Sequence, residues 1–154
     1  LLIKKGGAGA VKLEGGKRIM ENIKVLVDHG IPVLGHIGLT PQSVHQMSGY
    51  SVQGKTSDDA KKIIDDAVAV ENAGAFGVVL ECVPEELATT ITNTLNIPTI
   101  GIGSGNTCDG QIQVFHDIMG LSQNSPPKHA KQYSKFYDAM LDVCKQYKQD
   151  IENS

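Results

Sequence analysis

The sequence predicts a protein of the α/β class, in which helices cover a parallel β-sheet. Short runs rich in β-branched residues alternate with segments whose apolar residues recur every three or four positions. Runs such as "AFGVVLECV" are apolar on both faces, which is typical of parallel strands buried beneath helices. We count about five such strands, whereas a complete (β/α)8 barrel usually takes about 250 residues. The alternation therefore fits either an open doubly wound sheet or a piece of a barrel.

The elements of the first half follow from turn residues and periodicity. "GAVKLEGG" is predicted as the first strand, and residues 17–29 as an amphipathic helix that Gly30 ends. "IPVLGHIG" (31–38) is predicted as the second strand, followed by a long polar loop. Ser57 is predicted to cap a helix over residues 58–73, which Gly74 closes. The apolar stripes of these two helices are Ile19, Ile23, Leu26 and Val27, and Ile63, Ile64, Ala67 and Val70.

The second half continues the alternation. "AFGVVLECV" (75–83) is the third strand, and Pro84 suits the first turn of the helix that follows. "IPTIGIG" (97–103) is the fourth strand, and "QIQVFHD" (111–117) is predicted as the fifth. The tail from Lys128 to Ile151 is predicted to be helical, with Tyr133, Phe136, Met140, Val143 and Tyr147 as its stripe. We expect one domain over residues 1–154, with strands and helices in 1–121 and a helical tail in 122–154.

Composition excludes several classes of protein. The 154 residues carry a net charge of −3, which does not favour a nucleic-acid partner. Neither a membrane-spanning apolar run nor a signal-peptide pattern is evident. Three widely spaced cysteines without a C-x-x-C motif argue against a disulfide framework or structural zinc and favour a cytoplasmic setting. The sequence begins with Leu1 rather than Met, so we expect that residues were removed or that the chain is part of a longer one.

Polar residues lie near the carboxyl ends of the predicted strands, where parallel α/β folds bind ligands. Lys12 and Glu14 share one face of the first strand because successive side chains alternate. His36 follows on the second strand and Glu81 on the third. His116 and Asp117 are expected at the end of the fifth.

Each of these residues also has a structural interpretation. Lys12 and Glu14 could form an ion pair or face a helix, and His36 could be a hydrogen-bonded core histidine. Glu81 follows four apolar residues, and an unpaired buried carboxylate is costly. We therefore expect Glu81 to be either paired or suited to proton abstraction. The "GIGSGN" turn spaces its glycines as G-x-G-x-G, which does not match the dinucleotide-binding fingerprint.

Six colinear segments resemble ketopantoate hydroxymethyltransferases. They are "GAVKLEGG", "IPVLGHIGLTPQ", "GYSVQGKT", "GVVLECVP", "IPTIGIGSG" and "CDGQIQVFHDIMG", and they run from about residue 6 to residue 121. The resemblance implies a (β/α)8 TIM barrel of the phosphoenolpyruvate/pyruvate superfamily, homo-oligomeric in its full-length form. It also implies transfer of a hydroxymethyl group from 5,10-methylenetetrahydrofolate to 3-methyl-2-oxobutanoate, giving 2-dehydropantoate for pantothenate biosynthesis.

The resemblance further implies a role for each strand-end residue. Glu81 matches the family's general base, Lys12 its substrate-binding lysine, and Glu14 an acidic residue at its Mg2+ site. His36 is a candidate for hydrogen bonding in the substrate pocket. The loop from Tyr50 to Lys55 is a candidate lid or folate contact.

The chain also departs from the family pattern. The two aspartate motifs that supply the family's principal Mg2+ ligands are absent, and the five strands would be the fourth to eighth of an incomplete barrel with a C-terminal helix. Ser104 stands where the family commonly has Ala, and Gln113 where an apolar residue is usual. We therefore expect little activity from this polypeptide alone. An inactive fragment that only associates with other chains, or another Mg2+-dependent keto-acid barrel enzyme, remain the alternatives.

Overall fold

Five parallel strands form one sheet in the computed structural model, which describes residues 1–46 and 51–154. The strands are β1 (Val11–Glu14), β2 (Val33–Gly38), β3 (Gly77–Glu81), β4 (Thr99–Ile102) and β5 (Gly110–Gln111). Each lies beside its neighbours in the sequence, in the order β1-β2-β3-β4-β5, and every pairing is parallel. The predicted α/β class with a parallel sheet is thus confirmed.

Three helices connect the strands, as the periodicity predicts. They are α1 (Met20–Asp28), which a 3₁₀ turn at Lys17–Ile19 precedes, α2 (Ser57–Asn72) and α3 (Glu85–Thr94). Members of the two predicted stripes are buried, namely Ile23 in α1 and Ile63, Ala67 and Val70 in α2, and α3 buries Leu87, Ala88 and Ile91. These side chains form one core with Val33, Val78 and Leu80 of the sheet.

The start of α2 differs from the prediction by one residue. Thr56, not Ser57, is the N-cap, because its backbone is extended and its Oγ1 accepts the Asp59 N–H at 3.2 Å. Asp58 and Asp59 in the first turn place negative charge where the helix dipole favours it.

Glycine at position 35 lets α2 approach the sheet closely. A Cβ atom added to Gly35 would lie 2.4 Å from Cγ1 of Val70, well inside van der Waals contact. The glycine therefore sets how near α2 lies to β2, the strand that carries His36.

The chain divides into two compact units, Leu1–Ile112 and Gln113–Ser154. The sheet and the core lie in the first unit. The second contains the short helix α4 (Phe115–Met119), which ends at Gly120 in a left-handed conformation, and the long helix α5 (Phe136–Glu152).

Two predictions for this second half are wrong. The fifth strand covers only Gly110–Gln111 instead of 111–117, and Phe115 to Met119 are helical. The terminal helix begins at Phe136 instead of Lys128, so Tyr133 lies outside it, where its N–H donates to the Ile118 carbonyl at 2.8 Å. Within the described ranges, no helix is both long and apolar enough to cross a membrane.

Candidate active site at the carboxyl ends of the strands

Lys12, Glu14, His36 and Glu81 form one cluster, which we call the strand-end cluster. The sheet register brings them together: His36 pairs with Glu14 of β1 on one side and with Val79 of β3 on the other. Lys12 lies two residues before Glu14, and Glu81 lies two residues after Val79. Because side chains alternate along a strand, all four emerge on one face. The predicted shared face of Lys12 and Glu14 agrees with the 3.7 Å between their charged groups.

His36 is the centre of the cluster. Its Nδ1 lies 3.1 Å from Lys12 Nζ and 3.5 Å from Glu14 Oε1, and its Nε2 lies 3.1 Å from Glu81 Oε2. Lys12 Nζ is also 3.7 Å from Glu14 Oε1. Two carboxylates, one imidazole and one ammonium thus lie within reach of one another.

Burial differs across the cluster in a way that suits a site open to one side. The His36 side chain is 2% exposed and that of Glu14 is 9% exposed, whereas Glu81 is 15% and Lys12 46% exposed. His36 and Glu14 therefore form the floor. Lys12 and Glu81 are the two members that a ligand can reach most easily.

The contact between His36 and Glu81 is close but poorly aligned. Although Nε2 and Oε2 are 3.1 Å apart, the direction of the N–H does not meet the requirements of a hydrogen bond. Among the described residues, Nε2 is a buried nitrogen without a hydrogen-bond partner. The pair is therefore a close polar contact without a formed hydrogen bond.

Glu14 is largely engaged by the protein itself. Its Oε2 accepts the backbone N–H of Gln42 at 3.0 Å, and its Oε1 faces Lys12 and His36. The described part of the chain holds no group of three or more His, Cys, Asp or Glu side chains that could bind a metal ion. A hard cation such as Mg2+ needs near-octahedral oxygen ligands, so these residues alone do not form its site.

The turn after β3 sets the position of Glu81. Cys82, the next residue, has a positive φ of 50° and donates its N–H to the Ile102 carbonyl at 2.9 Å. The buried Ser104 hydroxyl donates to the Leu80 carbonyl at 2.7 Å and accepts the Val83 N–H at 3.4 Å. These bonds connect the end of β4 to both sides of Glu81. The sequence shows Ser104 as a departure from the family pattern but carries no signal for its contacts.

Burial raises the pKa of the Cys82 thiol above its ordinary value, and the neighbouring Glu81 carboxylate raises it further. Cys82 is therefore a poor nucleophile at neutral pH.

Two expected site features lie elsewhere. His116 and Asp117 belong to α4 in the second unit, so the prediction that they end the fifth strand is wrong. Tyr50 lies outside the described residues, but Gln53 of the same loop donates its N–H to the Cys82 carbonyl at 2.8 Å.

A groove of about 580 Å³ lies beside the strand-end cluster but does not include it. It is lined by the turns that follow β1 and β2 and by the first half of α2, and its charged residues are Lys17, Arg18, Lys62, Asp59, Asp65 and Asp66. Three cations face three carboxylates there, so the groove has no strong charge preference. None of the four residues of the strand-end cluster lines this groove.

Comparison with known proteins places these residues in a family. The sequence model of a family described as ketopantoate hydroxymethyltransferase matches residues 1–154. A 3-methyl-2-oxobutanoate hydroxymethyltransferase from Thermoanaerobacter sp. (strain X514) is 53% identical over 151 residues, which cover 98% of the chain and 55% of that protein. Proteins of the same name from Clostridium beijerinckii and Acetivibrio thermocellus are 52% and 50% identical. The chain spans about half the length of these curated relatives.

Proposed function

Since this chain belongs to the ketopantoate hydroxymethyltransferase family, we propose that it supplies the general base and the substrate-binding lysine of a 3-methyl-2-oxobutanoate hydroxymethyltransferase. The reaction would transfer a hydroxymethyl group from 5,10-methylenetetrahydrofolate to 3-methyl-2-oxobutanoate, giving 2-dehydropantoate. The observation that carries the proposal is the convergence of Lys12, Glu14, His36 and Glu81 on one face of the sheet.

Glu81 is the proposed proton acceptor. The substrate must lose the proton at C3, next to its ketone, before that carbon can attack a one-carbon unit. The Glu81 carboxylate is mostly buried yet reachable, and it lies on the same face of the sheet as the Lys12 ammonium. Its position at the end of β3 matches where parallel α/β folds bind substrates.

Lys12 is the proposed binding group for the keto acid. Deprotonation leaves negative charge on the enolate oxygen, and the substrate also carries a carboxylate. The half-exposed Lys12 ammonium provides a positive charge on the same face as Glu81. His36 was predicted as a weaker substrate contact, but its burial favours a supporting role beneath the substrate.

Mg2+ belongs to the proposal as a cofactor of the whole protein. It would stabilise the enolate as a Lewis acid, and Glu14 is the carboxylate of this chain that matches the family's metal site. Because the described residues do not complete such a site, the roles proposed for Glu81 and Lys12 do not depend on the metal.

We also propose that the sheet corresponds to strands four to eight of an incomplete (β/α)8 barrel. The sequential parallel order and the half-length match to the relatives support this assignment. Such a piece is expected to have little activity alone, to act in the cytoplasm, and to function in a homo-oligomer in its full-length form. A non-catalytic fragment is the second candidate, which the lack of a metal cluster in the described residues favours.

Deuterium exchange tests the proposed base directly. The chain is joined to the part of the Thermoanaerobacter relative that it does not match, and loss of the C3 proton of 3-methyl-2-oxobutanoate is followed by NMR in D2O with Mg2+ and without folate. Glu81→Gln is expected to slow exchange by about 10²- to 10⁴-fold. Glu86→Gln, the same change at an exposed position of α3, is the control and should leave the rate unchanged. Exchange that survives Glu81→Gln would refute the base assignment, and no exchange by the unsubstituted chimera would favour the non-catalytic fragment.

A further inference from the structure

The buried imidazole of His36 faces a different group with each of its two nitrogens. Nδ1 is 3.1 Å from Lys12 Nζ, and Nε2 is 3.1 Å from Glu81 Oε2. The ring is almost completely shielded from solvent. The polar neighbours of the two ring nitrogens are therefore protein groups.

Lys12 determines which nitrogen carries the proton. A lysine ammonium has three donors and no acceptor, so Nδ1 must accept the Lys12 bond. In a neutral imidazole the hydrogen then resides on Nε2. The same ammonium lies 3.7 Å from Glu14 Oε1, which is itself 3.5 Å from Nδ1, so one cation contacts both acceptors.

The Nε2–H consequently lies beside the Glu81 carboxylate. It is a buried donor without an aligned partner among the described residues, and leaving such a donor unpaired is unfavourable. Oε2 of Glu81 is at hydrogen-bond distance, and Glu81 is the more exposed of the two side chains.

We propose that His36 is a positioning residue for Glu81, held as the neutral Nε2–H tautomer by Lys12. Its Nε2–H binds Oε2 of Glu81 and leaves Oε1 available for the substrate proton. The role in catalysis depends on the proposed function of Glu81 as the base. This positioning role replaces the expectation that His36 contacts the substrate.

Nitrogen-15 NMR of the His36 ring tests the tautomer on the chain itself, without turnover. We expect a pyridine-like Nδ1 and a pyrrole-like Nε2 at neutral pH. Lys12→Met should shift the ring toward the Nδ1–H form, because Glu14 Oε1 then becomes the neighbour of Nδ1. Lys17→Met is the control, since Lys17 Nζ faces Asp65 at 3.5 Å, and it should leave the ring unchanged. A pyrrole-like Nδ1 in the unsubstituted chain, or an unchanged ring in Lys12→Met, would overturn the proposal.

The exchange assay on the chimera tests the positioning role. His36→Leu should lower kcat by about ten- to a hundredfold with little change in KM for the keto acid, because a displaced base reacts slowly without weakening substrate binding. His36→Gln keeps a donor amide near the Nε2 position and should recover part of the loss. A rise in KM at unchanged kcat would instead indicate a substrate-binding histidine and contradict the proposal. If the chimera is inactive while the ring shows the Nε2–H tautomer, the proposed function fails and the Lys12–His36–Glu81 arrangement stands.

Discussion

Cys82 is the one residue other than glycine with a positive φ in the described ranges, and it directly follows the proposed base. A left-handed backbone costs an ordinary residue about 1–2 kcal/mol, which the surrounding contacts must offset. Its N–H and carbonyl are both hydrogen-bonded, to Ile102 and to Gln53. The strain is thus located where the chain must turn sharply to present the Glu81 carboxylate.

The raised pKa of Cys82 predicts slow alkylation. A higher pKa leaves less thiolate at any given pH, so the rate against iodoacetamide should rise only at a more alkaline pH than that of an ordinary thiol. The exposed Cys144 provides an internal comparison in the same sample. Mass spectrometry of both peptides from pH 7 to 10 measures the two profiles.

Glu81→Gln supplies the control for this prediction. The substitution removes the negative charge that, after burial, raises the pKa of Cys82. Cys82 should therefore react faster with iodoacetamide, while the rate at Cys144 stays the same. Equal profiles for the two thiols in the unsubstituted chain would contradict the interpretation.

The site residues could be found from the sequence to the extent that strand alternation determines them. Lys12 and Glu14 are two residues apart in one predicted strand, and Glu81 interrupts an apolar run. Both patterns are visible in the amino-acid sequence alone. The hydrogen bond from the Gln42 N–H to Glu14 could not be predicted from the sequence, because it depends on loop conformation. The contacts of His36 with both Glu14 and Glu81 could not be predicted either, because they depend on the register between strands.

At the scale of elements, β4 is fixed at its start by a residue from the turn that follows it. Asp109 Oδ2 accepts the N–H of Thr99 at 2.8 Å and its hydroxyl at 3.1 Å. These donors stabilise the charged carboxylate and lower the pKa of Asp109. Thr99 is fully buried, so the bond joins the Gly-rich turn to the core.

Asp109→Asn should lower stability in a pH-dependent way. Since the pKa of Asp109 is depressed in the folded state, its contribution is fully present above the unfolded value of about 3.9 and disappears as the pH falls through the lower folded value. Urea unfolding of both proteins should show a clear gap in midpoint at pH 7 that narrows below about pH 4. Asp28→Asn, at an exposed position that ends α1, should shift the midpoint little at any pH. If the difference in urea midpoint between the unsubstituted chain and Asp109→Asn stayed constant across this pH range, the carboxylate of Asp109 would not be its cause.

Periodicity predicts the elements of the first unit well because their apolar stripes face one core. It fails in the second unit for a physical reason. "QIQVFHD" alternates like a strand, but Val114 and Phe115 remain exposed and their segment forms helical hydrogen bonds instead. Tyr133 fits the stripe of α5 in spacing, yet its N–H finds an acceptor outside that helix. Spacing indicates which side chains share a face but not where backbone donors are satisfied.

For the whole molecule, the hydrophobic core cluster of the described residues lies within the first unit. The clustered residues and those packed against them run from Val11 to Cys108. A polypeptide of residues 1–112 should therefore unfold cooperatively and retain slow amide exchange in β2 and β3. A polypeptide of residues 1–96 lacks β4 and leaves β3 unpaired on one side, so it should show no cooperative unfolding transition. Circular dichroism and hydrogen exchange of the two polypeptides measure this, and a non-cooperative 1–112 would show that the core is not self-sufficient.

The strand order has a consequence for synthesis on the ribosome. Each strand from β2 to β5 lies beside the one made just before it, so every pairing can close as soon as the next strand has emerged. The entropy lost at each closure is that of one crossover, of which the longest runs over residues 39–76, and it does not grow as the nascent chain lengthens. The central strand gains both neighbours before the last strand is translated, so the proposed base reaches its final surroundings while the carboxyl terminus is still unmade.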